Sequence, residues 1–189
     1  NWSDPDNWVD LTPGVSSAPA NGDDLVFPAG ASDLANVNNL AGRTWNSIRI
    51  ERSGYSITGN ALTLNAGLVF DFPSGTSTVA LDVTLANAQS ITVLQGAQAV
   101  VSPPTALTTA GFTLTAGGID AAGGLTTGGL AGAGSLVKTG TGRLTLGANT
   151  YTGATVLDAG LTDIDSVSCF GSATSAIVVN AAATLQFHA

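Results

Sequence analysis

The sequence predicts an all-β chain folded as a parallel β-solenoid, and three observations carry that prediction. Apolar residues alternate with polar ones at period two along almost the whole length, the breaks between alternating runs are small residues, and charge is scarce. Charged residues make up 10% of the 189, where an ordinary globular domain carries about 25%. Glycine numbers 24, and the remaining polarity is mainly Ser, Thr and Asn. Soluble helices solvate their outer faces with Glu, Lys and Arg and avoid Gly, Thr and Asn, so few helical surfaces can be built from this chain.

The first segment, residues 1–55, differs from the rest. It holds Trp2, Trp8 and Trp45 together with Phe27 and Tyr55, and it concentrates acids at Asp4, Asp6, Asp10, Asp23, Asp24 and Asp33. It is expected to be an irregular N-terminal cap with the first rungs, and residues 56–189 the solenoid body. The strands of the body follow in order. Leu62, Leu64, Leu68, Phe70 and Phe72 share a parity, then Val79, Leu81, Val83 and Leu85, then Ile91, Val93, Ala97, Ala99 and Val101. Phe112 and Leu114 come next, then Leu136, Leu144 and Leu146, and last Ile177, Val179, Ala181, Ala183, Leu185 and Phe187. Each run reads as a short strand with one apolar face.

The corners decide between architectures. They are Asn-Ala-Gly, Ala-Gly-Gly, Thr-Gly-Thr-Gly and Asp-Ala-Gly, where glycine is free to take positive φ. An antiparallel sandwich would favour two-residue hairpin signals, and only Asn21-Gly22 qualifies. A solenoid explains both corners and composition, because inward aliphatic side chains stack from rung to rung while outward Thr, Ser and Asn form ladders that need little charge. At about 20 residues per rung the chain makes roughly eight or nine rungs, a rod of some 40 Å. Strand edges at the ends of such a rod recruit other chains unless they are covered or used. The N-terminal segment offers a cover, whereas Ile177 to Phe187 reads as a strand with no cap after it and is the expected end-to-end pairing strand, with Ile177, Val179, Leu185 and Phe187 as its apolar residues.

Several function classes are excluded or disfavoured. Five scattered basic residues against a net charge of -8 cannot neutralise a run of phosphates, so nucleic acid is not an expected partner. No apolar run is long enough for a membrane span, and the start at Asn1 without Met or signal peptide reads as a processed or excised segment. Cys169 stands alone without neighbouring His or Cys and reads as a small buried residue.

The stretch from Gly134 to Gly160, GSLVKTGTGRLTLGANTYTGATVLDAG, resembles the autotransporter-associated β-strand repeat of bacterial passenger regions. The residues that carry the likeness are Gly134, Leu136, Lys138, Gly140, Gly142, Leu144 and Leu146, then Asn149, Tyr151, Gly153, Thr155 and the Ala159-Gly160 corner, with the repeat at about 134–164. The segment Ile177–Leu185 is similar to the strand that follows such repeats, and the opening residues 1–8 and 22–27 resemble, less specifically, the segment that precedes them. The resemblance implies a right-handed parallel β-helix, secreted or displayed on the bacterial cell surface, with no catalytic residues to carry over. One departure is local: the family has Thr-Leu after Ala-Gly, and this chain has Leu161-Thr162. The exchange turns Leu161 outward unless a bulge shifts the corner.

Candidate chemistry is thin. The Asp23-Asp24 and Asp4-Pro5-Asp6 pairs match no calcium loop, and Gly117-Gly118-Ile119-Asp120 lacks the pattern of calcium-binding rolls. Gly132-Ala-Gly134 with Lys138-Thr139 has Val137 where a phosphate loop needs Gly. The only histidine, His188, is next to the last residue, a poor place to hold a catalytic triad. Residues 56–157 contain only Asp71, Asp82 and Asp120 as acids, too few for a polysaccharide lyase or glycosidase site. The Asn1-Trp2-Ser3 sequon carries little weight, and Asn149 and Tyr151 read as corner residues before glycan-stacking ones. Catalytic residues, cofactors and metals are expected to be absent. The expected function is a non-enzymatic extracellular structural β-solenoid, a stalk, surface-layer or filament subunit that stacks end to end with itself or with further repeats. The alternative is a surface adhesin or carbohydrate-binding passenger module that presents the aromatics of residues 1–55 to a glycan or another cell-surface ligand.

Overall fold

A computed structural model describes residues 1–9, 16–172 and 174–187. His188 and Asp10 lie outside the described residues. The strands are β1 (Asp24–Phe27), β2 (Ala35–Asn38), β3 (Thr44–Ile50), β4 (Ser56–Gly59), β5 (Leu62–Asp71) and β6 (Thr76–Ala80). They continue with β7 (Val83–Leu85), β8 (Gln89–Leu94), β9 (Gln98–Val101), β10 (Leu107–Thr108), β11 (Leu114–Gly117) and β12 (Gly124–Thr127). The last are β13 (Leu130–Ala131), β14 (Leu136–Lys138), β15 (Arg143–Leu146), β16 (Thr155–Ile164) and β17 (Ile177–Phe187). Every strand pairing among them is parallel, and each strand pairs with strands one rung earlier or later, so the chain winds into a β-solenoid of about seven turns. The number is close to the eight or nine expected. The coil is looser than 20 residues per rung, since the stacked positions Asp24 and Ser47 lie 23 residues apart and Asn36 and Ile57 lie 21 apart.

Three columns of strands form the walls. The first runs β1, the second half of β3, the second half of β5, β8, β11, β14, then the first halves of β16 and β17. The second runs β2, β4, β6, β9, β12, β15 and the second halves of β16 and β17. The third, of short strands, runs from the start of β3 through the start of β5, β7, β10 and β13. Period-two alternation then sends equivalent residues to the same place in each rung. Leu25, Ile48, Leu68, Ile91, Ala116, Lys138, Leu157 and Val179 form one inward stack of the first column, and all but Val179 are buried. Outward positions of the third column stack Thr44, Thr63, Thr84 and Thr108.

Residues 1–8 close the N-terminal end. Pro5–Asn7 make one 3₁₀ turn capped by the Asp4 carboxylate, the Trp2 amide donates to Val37 O on the free edge of β2 at 3.1 Å, and the Ser3 amide donates to Asn39 Oδ1. The Trp2 ring drops onto the core against Phe27, Trp45 and Trp8 at centroid distances of 5.6 to 5.9 Å. A packed aromatic end of this kind shields the first rung from water and from strand addition.

One detail of the alternation differs from the sequence pattern, and the Leu161-Thr162 exchange turns Leu161 outward as expected. Phe112 shares the parity of Leu114 but is 37% exposed, because Ala110 and Gly111 both take positive φ and the Phe112 amide turns back to Thr109 O before β11 starts. At the exchanged pair, Leu161 stacks outward over Arg143 and is half-buried, while Thr162 points inward between Leu144 and Leu185 with no exposure. A bulge accompanies it one rung later, where Leu157 faces Val179 but Ala159 faces Ala182. The Thr162 hydroxyl has no hydrogen-bond partner among the described residues. Replacing it by an isosteric methyl removes that penalty, so Thr162→Val is expected to raise the unfolding free energy by about 1 kcal/mol, as read from the denaturant midpoint at unchanged m-value.

Candidate functional site

The residues singled out between 134 and 160 come together as one rung and its contacts with the rungs on either side. The glycines sit where backbones of successive rungs touch. A Cβ added at Gly134 would run into Phe112 O, at Gly142 into Asp120 O, and at Gly153 into Gly134 O. Gly140 and Gly160 do more, since both take positive φ (+80° and +76°) at stacked corners, with the backbone of Ile119 under the first and that of Gly140 and Gly142 under the second. Leu136, Leu144 and Leu146 fill the interior with no exposure.

Four polar residues of this rung are also inside. Lys138 occupies the inward stack between Ala116 and Leu157, and its side chain folds to the corner, where the ammonium donates to Gly140 O (2.7 Å), Ala159 O (3.0 Å) and Thr139 O (3.2 Å). Its three protons thus meet three carbonyls from two successive rungs. Burial pushes its pKa down to about 8. Asn149 reinforces the third column beyond β13: Oδ1 accepts from Leu130 N (2.9 Å) in the rung before, and Nδ2 donates to Gly147 O (3.0 Å) in its own rung and to Cys169 O (2.5 Å) in the rung after. The buried Tyr151 hydroxyl shares a hydrogen bond with Thr155 Oγ1, and burial raises the phenol pKa. Asn149 and Tyr151 therefore present no open stacking face to a sugar.

Cys169 lies under this rung, buried, with its thiol pKa raised by burial, which keeps it protonated and unreactive. Outside, Arg143 pairs with the buried Asp163 carboxylate of the next rung. This partner was not legible, because the pairing follows from rung register alone. Lys138 by contrast shares the even parity of Leu136, and that parity places it inside.

The acids weighed as cation ligands serve turns instead. Asp23 Oδ2 accepts from Ala20 N, Asp24 Oδ1 from Asn46 Nδ2, Asp4 Oδ1 from Asp6 N, and Asp120 Oδ1 from Ala122 N and Gly123 N. The aromatic platform expected for a glycan is not at the surface. Trp2, Trp45 and Tyr55 are at most 2% exposed, and only Trp8 is half-buried, on the wall of a cleft of about 290 Å³ between the cap and the first rung. The rings went inward because the open end of the core needs a plug.

The predicted pairing strand has a different setting. β17 pairs with β16 on one side and with nothing among the described residues on the other. Ile177, Val179 and Phe187 are 47, 43 and 73% exposed although they continue inward stacks, and Leu185 is half-buried. Phe187 borders a hollow of about 240 Å³ with Ile164, Cys169 and Phe170.

Residues 136–162 match the family model of the passenger-associated transport repeat. With the parallel solenoid around it, this match is consistent with an autotransporter passenger β-helix and fits a structural, passenger-type module. The same repeat points to a secreted or surface protein. No curated protein and no solved structure matches the chain. No helix among the described residues is long and apolar enough to cross a membrane.

Lys138→Met leaves three corner carbonyls without their donor, and the expected cost is about 1–3 kcal/mol after the relief of burying no charge is counted. The difference is pH-dependent. The folded value of about 8 lies below the 10.5 of the unfolded chain, so the unfolded state holds the extra proton between the two. Stability of the wild type relative to Lys138→Met therefore rises as pH increases from about 8 towards 10.5, and parallel urea titrations across that window check it.

Proposed function

We propose that the chain is a non-enzymatic, extracellular structural rod whose work is to extend a solenoid, stacking through β17 onto further rungs or another copy. The observation that supports this reading is the setting of β17, a strand of 11 residues without a charged or proline side chain, with no partner on one side among the described residues and with the ends of the inward stacks showing. Edges left open are blunted by charge or proline, and the strand β17 carries neither, as a strand that pairs onward would. The interior adds support, since its polar groups at the repeat are spent on backbone atoms of neighbouring rungs rather than turned to a substrate.

The test is sedimentation of the chain against Val179→Pro. Inward residues of the first column donate their amides to the following rung, as Leu136 does to Ala154 O and Thr155 to Ala176 O. The Val179 amide accordingly faces the open side, and proline there removes a donor that no internal bond uses. Wild-type chain is expected to associate as concentration rises, and Val179→Pro to remain monomeric at an unchanged thermal midpoint. A wild-type monomer at the highest attainable concentration, or equal association of both, overturns the reading.

A further inference from the structure

We infer that Asn21 is a modification site: it deamidates through a succinimide formed with Gly22, and two hydrogen bonds to Thr44 hold the reaction back until the corner before β1 lifts off β3. Asn21-Gly22 is the one Asn-Gly pair in the sequence. Ring closure needs the amide nitrogen of the next residue to reach the side-chain carbonyl carbon, and glycine puts no Cβ in the way. Both residues are exposed, in a turn where Asp23 N donates to Ala20 O at 3.2 Å and Gly22 takes φ +91°. Nothing lies within 4 Å of a Cβ built on Gly22, so water and base reach the pair.

The chemistry needs only water and base. Gly22 N gives up its proton and attacks Asn21 Cγ; the N–Cγ bond forms, the Cγ–Nδ2 bond breaks, and ammonia leaves. Water then opens the ring at either carbonyl. Attack at Cγ breaks the new bond and leaves aspartate at position 21. Attack at the main-chain carbon of Asn21 breaks the original peptide bond and leaves isoaspartate, with the chain running through Cγ and one carbon longer. Nothing is oxidised or reduced.

Thr44, the first residue of β3, holds both reacting groups. The nucleophile, Gly22 N, donates to Thr44 O at 2.9 Å, and Asn21 Oδ1, on the carbon under attack, accepts from Thr44 N at 3.1 Å. The proton that must leave is engaged in the first bond, and the second turns the side chain towards β3 and away from Gly22. Asn46 N to Asp23 O at 2.9 Å and Ala20 N to Asp23 Oδ2 at 2.7 Å seat the same corner. Lifting it breaks these bonds together, so conversion of Asn21 reports local opening of the first rung rather than unfolding of the rod. The aspartate product keeps an acceptor for Thr44 N. The isoaspartate product cannot reclose in register, because the inserted carbon moves Gly22 N off Thr44 O, and the opening becomes permanent.

Peptide mapping by mass spectrometry tests this on the complete chain held at mildly alkaline pH, beside a synthetic peptide of residues 18–25 and the variant Thr44→Pro. Proline at the start of β3 removes the donor to Asn21 Oδ1 at a strand position that tolerates it. Asn21 of the wild type is expected to convert at least about tenfold more slowly than in the peptide, the population cost of releasing two hydrogen bonds. Thr44→Pro is expected to move the rate towards that of the peptide. The wild type alone supplies a second measurement, since urea far below the unfolding midpoint is expected to speed the conversion. A wild-type rate equal to the peptide's, or one that stays flat in urea up to the midpoint, overturns the gate. A folded Thr44→Pro that converts no faster than wild type overturns the part given to Thr44, and faster conversion of another asparagine in the chain overturns the site.

Discussion

The structure depends on one constraint: hydrogen bonds between successive rungs run along the rod, so each rung lies about 4.8 Å above the last and every side chain rests on its own equivalent. Stacks such as Leu25, Ile48, Leu68 and Ile91 follow from it, because like shapes pack on like shapes at that spacing. So do the glycines of the repeat, because a corner held at ladder distance from the corner below has no volume for a Cβ. The low charge has the same origin. Like charges stacked a few ångström apart repel, and the outer ladders are consequently threonine or mixed pairs, such as Arg49 against Asp71 with Gln95 on the same carboxylate.

Polar groups inside the rod obey the constraint differently. A ladder supplies partners only where strands continue, and near residue 149 the third column has no strand after β13. Asn149, through its side-chain oxygen and amide, adds bonds to the backbone bonds of this corner (Gly129 N to Ala148 O, Thr150 N to Leu130 O, Asn149 N to Ser168 O) and joins three rungs. Lys138 does the equivalent at the corner, where its ammonium binds carbonyls of two successive rungs. Both residues join successive rungs where the regular ladder lapses, which gives the repeat its polar signature without any need for catalysis.

Much of this was legible because parity survives from strand to strand. The inward sets of β5 through β9 and the strand Ile177–Phe187 follow directly from alternation, and the positive-φ corners at Gly67, Gly118, Gly140 and Gly160 from the small-residue breaks. What was not legible has physical reasons. Phe112 left the core because a non-glycine residue, Ala110, adopts φ +51°, which no pattern announces. Trp2 and Trp45 look like a binding surface in a chain with few aromatics, yet the end of a solenoid exposes apolar stacks that only large rings can cover. Arg143 with Asp163 and the three carbonyls around Lys138 depend on how many residues each rung contains, a length that varies with every corner.

The two ends of the rod then pose unequal problems. At the N-terminal end the first rung is plugged by rings and its edge is partly satisfied by a backbone amide, so little free energy is left for adding a strand. At β17 the side away from β16 has no partner among the described residues, and the unburied ends of the inward stacks lie on the same strand. Electrostatics points the same way. A net charge of -8 opposes side-by-side packing of rods, while β17 carries no charge at all. The repeat rungs beneath β17 are tied together through Lys138 and Asn149, which gives that strand a rigid base.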